Sequence, residues 1–334
     1  MSGVTASNLA AINDALATLN VTANSIDTAA KLQQVVSAYN TLIKLADGSD
    51  NTVNNDNPTA NQYTLLGVTG LETSVLSSSR QASLLGDVID RKLFNDINTV
   101  KEIQAIEDAV AAVLTVAAGG SALSLEQLSI LGFTDVAPEK LNDVIIAIQG
   151  TPNDGSGVDT YSALSTVINS RLDAVKQALK VISDFAIGNQ FSKPVDAVVF
   201  NYNGIAPTKA DYSTAGVVGV DTDEVLAAIN DALATPFVTD RSVTTTAQVQ
   251  TLVDAYKSIY TAANGSVTAN VVQPTADQYT LLGVTGLSST DTDVAVKTRL
   301  LGDVIDRKNF IQVDTVLEIQ DYAKAVQLLT KEAF

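Results

Sequence analysis

The stretch PTANQYTLLGVTGL at residues 58–71 decides the fold, because it returns as PTADQYTLLGVTGL at residues 274–287. The stretch LLGDVIDRK at residues 84–92 also returns, unchanged, at residues 300–308, so both blocks share an offset of 216 residues. A third block, LAAINDALAT at residues 9–18, returns at residues 226–235 with an offset of 217. A repeat of this length predicts a modular array, in which several small units follow one another along the chain.

A short apolar helix that ends at a glycine is predicted in the block at residues 58–71, in its copy at 274–287, and in two weaker relatives at residues 128–134 and 212–218. Gly67, Gly132, Gly216 and Gly283 each follow an apolar helical turn. A residue in the left-handed conformation commonly ends a helix, and glycine adopts that conformation at little cost. We therefore predict that these four glycines are helix stops. Replacing Gly283 by Val is expected to cost about 1 kcal/mol or more, and an unchanged melting temperature of that bundle would contradict the assignment.

A threonine after Asp or Asn precedes the longer periodic runs. Thr99 and Thr315 are each followed three residues later by a glutamate, which is the spacing of a capping box. Thr160 starts a similar run. After Thr99 the apolar residues recur every three or four positions, which indicates one face of an amphipathic helix. We predict that Thr99, Thr160 and Thr315 are N-caps of long helices.

A middle helix completes each repeat. No single helix can bury its apolar stripe alone, so three helices are expected to fold on one another. The predicted fold is all-α, an elongated tandem array of small three-helix bundles. The predicted domains are repeat A (1–49, without its first helix), repeat B (58–119), repeat C (121–188), a linker in which a short strand can form (189–207), repeat A′ (208–266) and repeat B′ (274–334).

The composition excludes several classes of function. The chain has 37 acidic and 20 basic residues, a net charge of −17, which disfavours binding to nucleic acid or anionic membrane. It contains neither cysteine nor histidine, so a thiolate nucleophile, the usual zinc ligand and the usual general base near neutral pH are missing. The longest apolar stretch, residues 109–118, is about half of the ~20 residues that cross a bilayer. The sequence predicts neither catalysis nor membrane insertion.

Polar loops contain the candidate metal ligands. Asp47, Asp50, Asn55 and Asp56 carry enough oxygen atoms to hold calcium, the one cofactor that the sequence suggests. A smaller group is Asn153, Asp154 and Asp159. The Asp-x-Asp-x-Asp-Gly loop with a distal glutamate is absent, and the corresponding loop at residues 265–274 has no acid at all. A solvated loop is the favoured interpretation, and a calcium site is the alternative.

The repeated block at residues 84–92 contains two acids, Asp87 and Asp90, three positions apart. Two such carboxyl groups could perform acid–base chemistry if their surroundings separated their pKa values. The favoured interpretation is a solvated face or a contact between repeats, in which Asp87 and Arg91 can form an ion pair one helical turn apart and Val88 and Ile89 lie in the core.

Four tyrosines occupy matching places in the two copies: Tyr39 with Tyr256, and Tyr63 with Tyr279. Repeated tyrosines could form a recurrent binding face. The favoured interpretation is packing at the core or rim of each bundle, with the hydroxyl groups in water.

The order of these motifs resembles the GA module, a small three-helix bundle of bacterial surface proteins, some of which bind serum albumin. The matching residues are Tyr63, Gly67, Val68 and Thr69 at the first turn, Val88, Ile89 and Asp90 in the second helix, and Thr99, Val100 and Ile103 in the third. The same pattern is similar to helical repeats of very large secreted bacterial adhesins. The resemblance implies an extracellular location, on the bacterial surface or secreted.

These features together predict a non-catalytic stalk or display segment of a large bacterial extracellular adhesin or surface-layer protein. Its partners would then be neighbouring repeats of a longer parent chain. Two alternatives stay open: a multivalent module that binds a host surface protein or a glycan, and a subunit of a self-assembling surface filament that binds other copies of itself. Binding stoichiometry above one would favour the first alternative, and concentration-dependent oligomers would favour the second.

Overall fold

The computed structural model describes residues 1–49, 57–71, 77–191, 205–266, 273–287 and 293–332. Within these ranges the chain forms fourteen α-helices and no strand element. The one extended contact among them is an isolated antiparallel bridge between Asp47 and Leu93. The all-α prediction is therefore confirmed for the described residues. Most of the predicted linker, residues 192–204, lies outside them.

The helices recur in the order short, medium and long. They are α1 Leu9–Leu16, α2 Ala29–Leu45, α3 Ala60–Leu65, α4 Ser78–Asp90, α5 Val100–Ala117, α6 Leu125–Ile130, α7 Leu141–Gln149, α8 Tyr161–Phe191, α9 Lys209–Thr214, α10 Asp223–Leu233, α11 Thr246–Ala262, α12 Ala276–Leu281, α13 Val294–Asp306 and α14 Val316–Glu332. The order begins at α3, and the medium α1 and the long α2 precede it.

Local sequence explains where the short helices begin. Each has a Ser or Thr at the N-cap and a Gln or Asp three residues later, and the two side chains bind each other's backbone N–H groups in a capping box. The four N-caps are Thr59, Ser124, Thr208 and Thr275. These boxes satisfy backbone donors that would otherwise have no partner at the start of a six-residue helix.

The first compact domain comprises residues 1–172. Its core is one continuous cluster that runs from Ala11 to Ile168. Helix α5 packs against α1 and α4, and also against α6 and α7. The long helix of repeat B thus contacts repeat A before it and repeat C after it.

The second compact domain comprises residues 173–334, and its boundary with the first falls within α8. Helix α11 packs against α10, α12 and α13, just as α2 packs against α1, α3 and α4. Helix α14 packs against α10 and α13, as α5 does against α1 and α4. Within each compact domain the helices also pack across the repeat boundaries. The division into five separate repeat domains stays a prediction.

Candidate functional site: the joints between repeats

An aspartate on the medium helix of one repeat binds the long helix of the next repeat. Three aspartates form such a bond, and we call them the joint carboxylates: Asp14, Asp87 and Asp231. The bonds run from Val100 N to Asp14 Oδ2 at 2.7 Å, from Tyr161 N to Asp87 Oδ2 at 2.9 Å, and from Val316 N to Asp231 Oδ2 at 2.7 Å. Each N–H belongs to the first residue of α5, α8 or α14, where the helix supplies no acceptor of its own. The positive end of the helix dipole further favours a carboxylate there.

The threonines that the sequence predicts as caps lie beside these bonds. The hydroxyl oxygens of Thr99, Thr160 and Thr315 each accept a hydrogen bond from the backbone N–H three residues later, at 3.2–3.3 Å. Thr99 forms the predicted capping box with Glu102. Each of these helix starts therefore has two caps, one from its own repeat and one from the preceding repeat.

The joint between repeats B and C also contains Arg80 and Arg91. The guanidinium group of Arg91 lies 3.6 Å from the ring centroid of Tyr161, whose amide binds Asp87. Tyr161 also stacks on Phe133, with 5.3 Å between the ring centroids. Asp87 and Arg91 thus meet the same residue of the next repeat.

Arg80 lies against two acids of the smaller calcium candidate, Asn153, Asp154 and Asp159. Its guanidinium nitrogens lie 3.1 Å from an oxygen of Asp154 and 3.5 Å from an oxygen of Asp159. A positive side chain is therefore placed where a cation would have to bind.

Four glutamines each clamp a turn, a feature that the sequence analysis missed. Three of these turns follow the glycine stops Gly67, Gly216 and Gly283, and the fourth lies at Ser2. In each clamp the side-chain Oε1 accepts from the backbone N–H of a turn residue, and Nε2 donates to the carbonyl of that same residue. The pairs are Gln33 with Ser2, Gln104 with Thr69, Gln250 with Val218 and Gln320 with Thr285. Each glutamine stands five positions after the threonine that caps its helix, which is the signal that could have found it. Repeat C has Ser165 at that position.

The four predicted glycine stops all have positive φ angles: +91° at Gly67, +101° at Gly132, +77° at Gly216 and +94° at Gly283. At Gly283 the neighbouring repeat adds a second restriction. A Cβ atom there would lie 2.7 Å from Oγ1 of Thr235. Substitution of this glycine would therefore strain the backbone and also collide with repeat A′.

The repeated tyrosines are fully buried, so the expectation that their hydroxyl groups reach water is wrong. Tyr39 OH donates to the carbonyl of Ile97, and Tyr256 OH donates to the carbonyl of Val313, both at 2.8 Å. Each bond joins the long helix of repeat A or A′ (the A-type repeats) to the loop before the long helix of repeat B or B′ (the B-type repeats). Burial raises the pKa of both hydroxyl groups, so both stay protonated donors.

Tyr63 and Tyr279 are also fully buried, in the short helices α3 and α12. Among the described residues neither hydroxyl group has a hydrogen-bond partner. Burial raises the pKa of both.

The calcium candidates are only partly placed. Asp47 Oδ1 accepts a hydrogen bond from Ser49 N at 2.8 Å. Asp50, Asn55 and Asp56 lie outside the described residues. Across the part of the chain that the structure describes, no three acidic, cysteine or histidine side chains are grouped as metal ligands. Calcium binding at the 47–57 loop stays a prediction.

Glu107 is a buried acid that the sequence analysis did not single out. Its carboxylate lies against Gly70 and accepts hydrogen bonds from Gln104 Nε2 at 3.2 Å and Gln81 Nε2 at 3.4 Å. Burial, followed by the nearby charge of Asp108, raises the pKa of Glu107 to about 7. Repeat B′ has Ala323 at this place, so the group is not part of the repeating pattern.

The chain matches no protein-family model, and neither a curated protein nor a solved structure matches it. The resemblance to GA modules therefore stays a prediction. Among the described helices, none combines the length and the apolar character that a membrane span requires.

Proposed function

We propose that this chain is a non-catalytic structural segment of a large bacterial extracellular protein, such as an adhesin or surface-layer protein. In this proposal its three-helix repeats form an elongated tandem array that serves as a stalk. The observation that carries the proposal is the joint carboxylate, which links the medium helix of one repeat to the long helix of the next at three places.

The chemistry of the joints supports a structural task. Each carboxylate accepts a backbone N–H at a helix start, where the bond stabilises both repeats. The tyrosine bonds to Ile97 and Val313 add a second link at the same boundaries. Within each compact domain, a force along the array would therefore pass from one repeat to the next through these links.

Small-angle X-ray scattering at several protein concentrations tests the stalk. We expect a particle of fixed maximum dimension, far longer than the ~45–50 Å diameter of a compact globule of this size. The measurement should be repeated with calcium and with a chelator, because stiffening only with calcium would identify a metal-dependent array. A compact particle at every concentration would contradict the stalk. The multivalent binding module and the filament subunit stay predictions.

A further inference from the structure

Repeats B and B′ provide a comparison of identical residues in two surroundings. The block LLGDVIDRK is the same at 84–92 and 300–308. Leu84 and Val88 are fully buried, whereas their counterparts Leu300 and Val304 are only partly buried. Because the sequences are identical, the difference must come from what covers each helix.

The neighbouring long helices differ in the same way. Ala109 and Val113 of α5 are fully buried. Their counterparts in α14 are Ala325, which is exposed, and Leu329, which is 62% exposed. Leu328 is 66% exposed and stands where repeat B has the smaller Ala112.

Apolar residues that stay partly or largely exposed in repeat B′ form a stripe on each of two helices that pack together, and we call these two stripes the end face. On α13 they are Val296, Leu300 and Val304, at helical spacings of four. On α14, which packs against α13, they are Ala325, Leu328 and Leu329. Several large apolar side chains exposed together indicate a surface for binding a partner.

The first compact domain shows what covers the equivalent face. Helix α5 packs against α6 and α7 of repeat C, and the side chain of Leu114 lies against Gly155 of that repeat. Asp87 of α4 and Arg91, which directly follows α4, both contact Tyr161 of repeat C. The cover of a B-type repeat is therefore a C-type repeat.

The polar groups needed for the same cover are present in repeat B′. Asp303 accepts a hydrogen bond from Gln273 through Oδ1 at 2.8 Å, as Asp87 does from Asn57 through Oδ1 at 3.2 Å. The second oxygen of Asp87 binds Tyr161 N, but that of Asp303 has no partner among the described residues. Arg307, the counterpart of Arg91, is exposed.

We infer that the end face of repeat B′ is a docking surface for a three-helix unit of the repeat C type. Leu328, Leu329 and the α13 stripe would receive its short and medium helices. Asp303 would cap its long helix, and Arg307 would lie against an aromatic residue at the start of that helix. This inference rests on the proposed array, and it names the type of unit that the array places on repeat B′.

The test is an extended chain in which a second copy of residues 119–188 follows Phe334 directly. This junction keeps the offset of 216 residues, so the added α6 stands as far from α14 as the native α6 does from α5. Hydrogen exchange by mass spectrometry reports on α13 and α14 with and without the extension. We expect the extension to slow amide exchange in residues 294–306 and 316–332 by at least ~10-fold, because docking suppresses local opening.

Two substitutions in the extended chain make a matched pair. Leu329→Lys places a charge on the end face, and we expect it to abolish the added protection. Leu317→Lys also replaces an exposed leucine of α14, but repeat B naturally has Lys101 at that position. We expect Leu317→Lys to retain the protection. Both leucines are exposed in the unextended chain, so neither change should unfold it.

An extended chain without added protection would overturn the inference, whether the added unit is folded or not. Dimers of the unextended chain that Leu329→Lys abolishes would also overturn it, since the occupant would then be a second copy. Scattering separates this result from the stalk. If the extension protects α13 and α14 but the particle is compact, the docking inference stands and the stalk proposal is wrong. If the particle is a rod but the extension gives no protection, the stalk proposal stands and the docking inference is wrong.

Discussion

At the residue scale, the joint carboxylates show how a single side chain couples two repeats. Asp231 is nearly buried in α10 and binds Val316 N at the start of α14. Removing it would leave a helix-start N–H without its charged acceptor. We expect Asp231→Ala to lower the free energy of unfolding of the second compact domain by about 1–2 kcal/mol, measured by urea denaturation.

Asp321→Ala is the matched control, since it removes an aspartate of the same domain that contacts no helix start. The side chain of Asp321 is 64% exposed and pairs with Lys324 at 3.4 Å. An exposed pair of this kind contributes a few tenths of a kcal/mol. If both variants lost the same free energy of unfolding, the hydrogen bond from Val316 N to Asp231 would add no more stability than an exposed ion pair does.

Glu107 gives the first compact domain a predictable pH dependence. The pKa of its carboxyl group is raised from the ordinary 4.5 to about 7, chiefly by burial. Between these pH values the folded chain keeps a proton that the unfolded chain has lost. The stability due to this group is therefore present below pH 4.5 and is lost as the pH rises through about 7.

Glu107→Gln should remove that dependence, because the amide stays neutral. We expect the stability of the variant relative to the native chain to rise between pH 4.5 and 7, measured by urea denaturation at each pH. Asp108→Asn removes the second cause of the shift, so it should lower the pKa of Glu107 in a carbon-13 NMR titration. A parallel pH profile for the native chain and the Gln variant would contradict the assignment.

At the scale of the helix, the glutamine clamp depends on an amide that both donates and accepts. Gln250 accepts from Val218 N at 2.8 Å and donates to Val218 O at 3.1 Å. A carboxylate could accept the first bond but would repel the carbonyl oxygen at the second. We expect Gln250→Glu to lower the melting temperature by several degrees, as a loss of about 1 kcal/mol would.

Gln248→Glu is the control for charge and position, because it lies two residues away on α11. Gln248 occupies the capping-box position after Thr245, where its Oε1 accepts from backbone N–H groups at 3.0–3.1 Å. Its one donated bond, from Nε2 to the Arg241 carbonyl, is long at 3.4 Å. Repeats B and B′ have Glu102 and Glu318 at this position. The control should be neutral or slightly stabilising, and a loss equal to that of Gln250→Glu would refute the clamp.

The features that begin and end each helix were the easiest to predict from the sequence. The glycines with positive φ and the threonine caps act within a few residues of themselves, so local motifs reveal them. The joint carboxylates act on helices in the next repeat, and Asp14 lies far from Val100 along the chain. No local pattern identifies such a partner, and for the same reason the tyrosine hydroxyl groups were wrongly expected in water.

At the scale of the whole molecule, the net charge of −17 determines how the chain responds to divalent cations. Charges of one sign repel one another in the folded state, so cations that screen them stabilise it. Calcium and magnesium have the same charge. If they act only by screening, both should raise the melting temperature equally at equal concentration, which calorimetry can measure.

A calcium site in the 47–57 loop would break this equality, because a ligand that binds only the folded chain adds RT ln(1 + [L]/Kd) to its stability. We expect no excess for calcium. The triple variant Asp47→Asn, Asp50→Asn and Asp56→Asn serves as the control, since it removes three charges from one loop and should reduce both cation effects alike. An excess for calcium that this variant abolishes would instead make the loop a metal site. The copy of this loop at residues 265–274 has no acid, so the site would belong to one copy of the repeat alone.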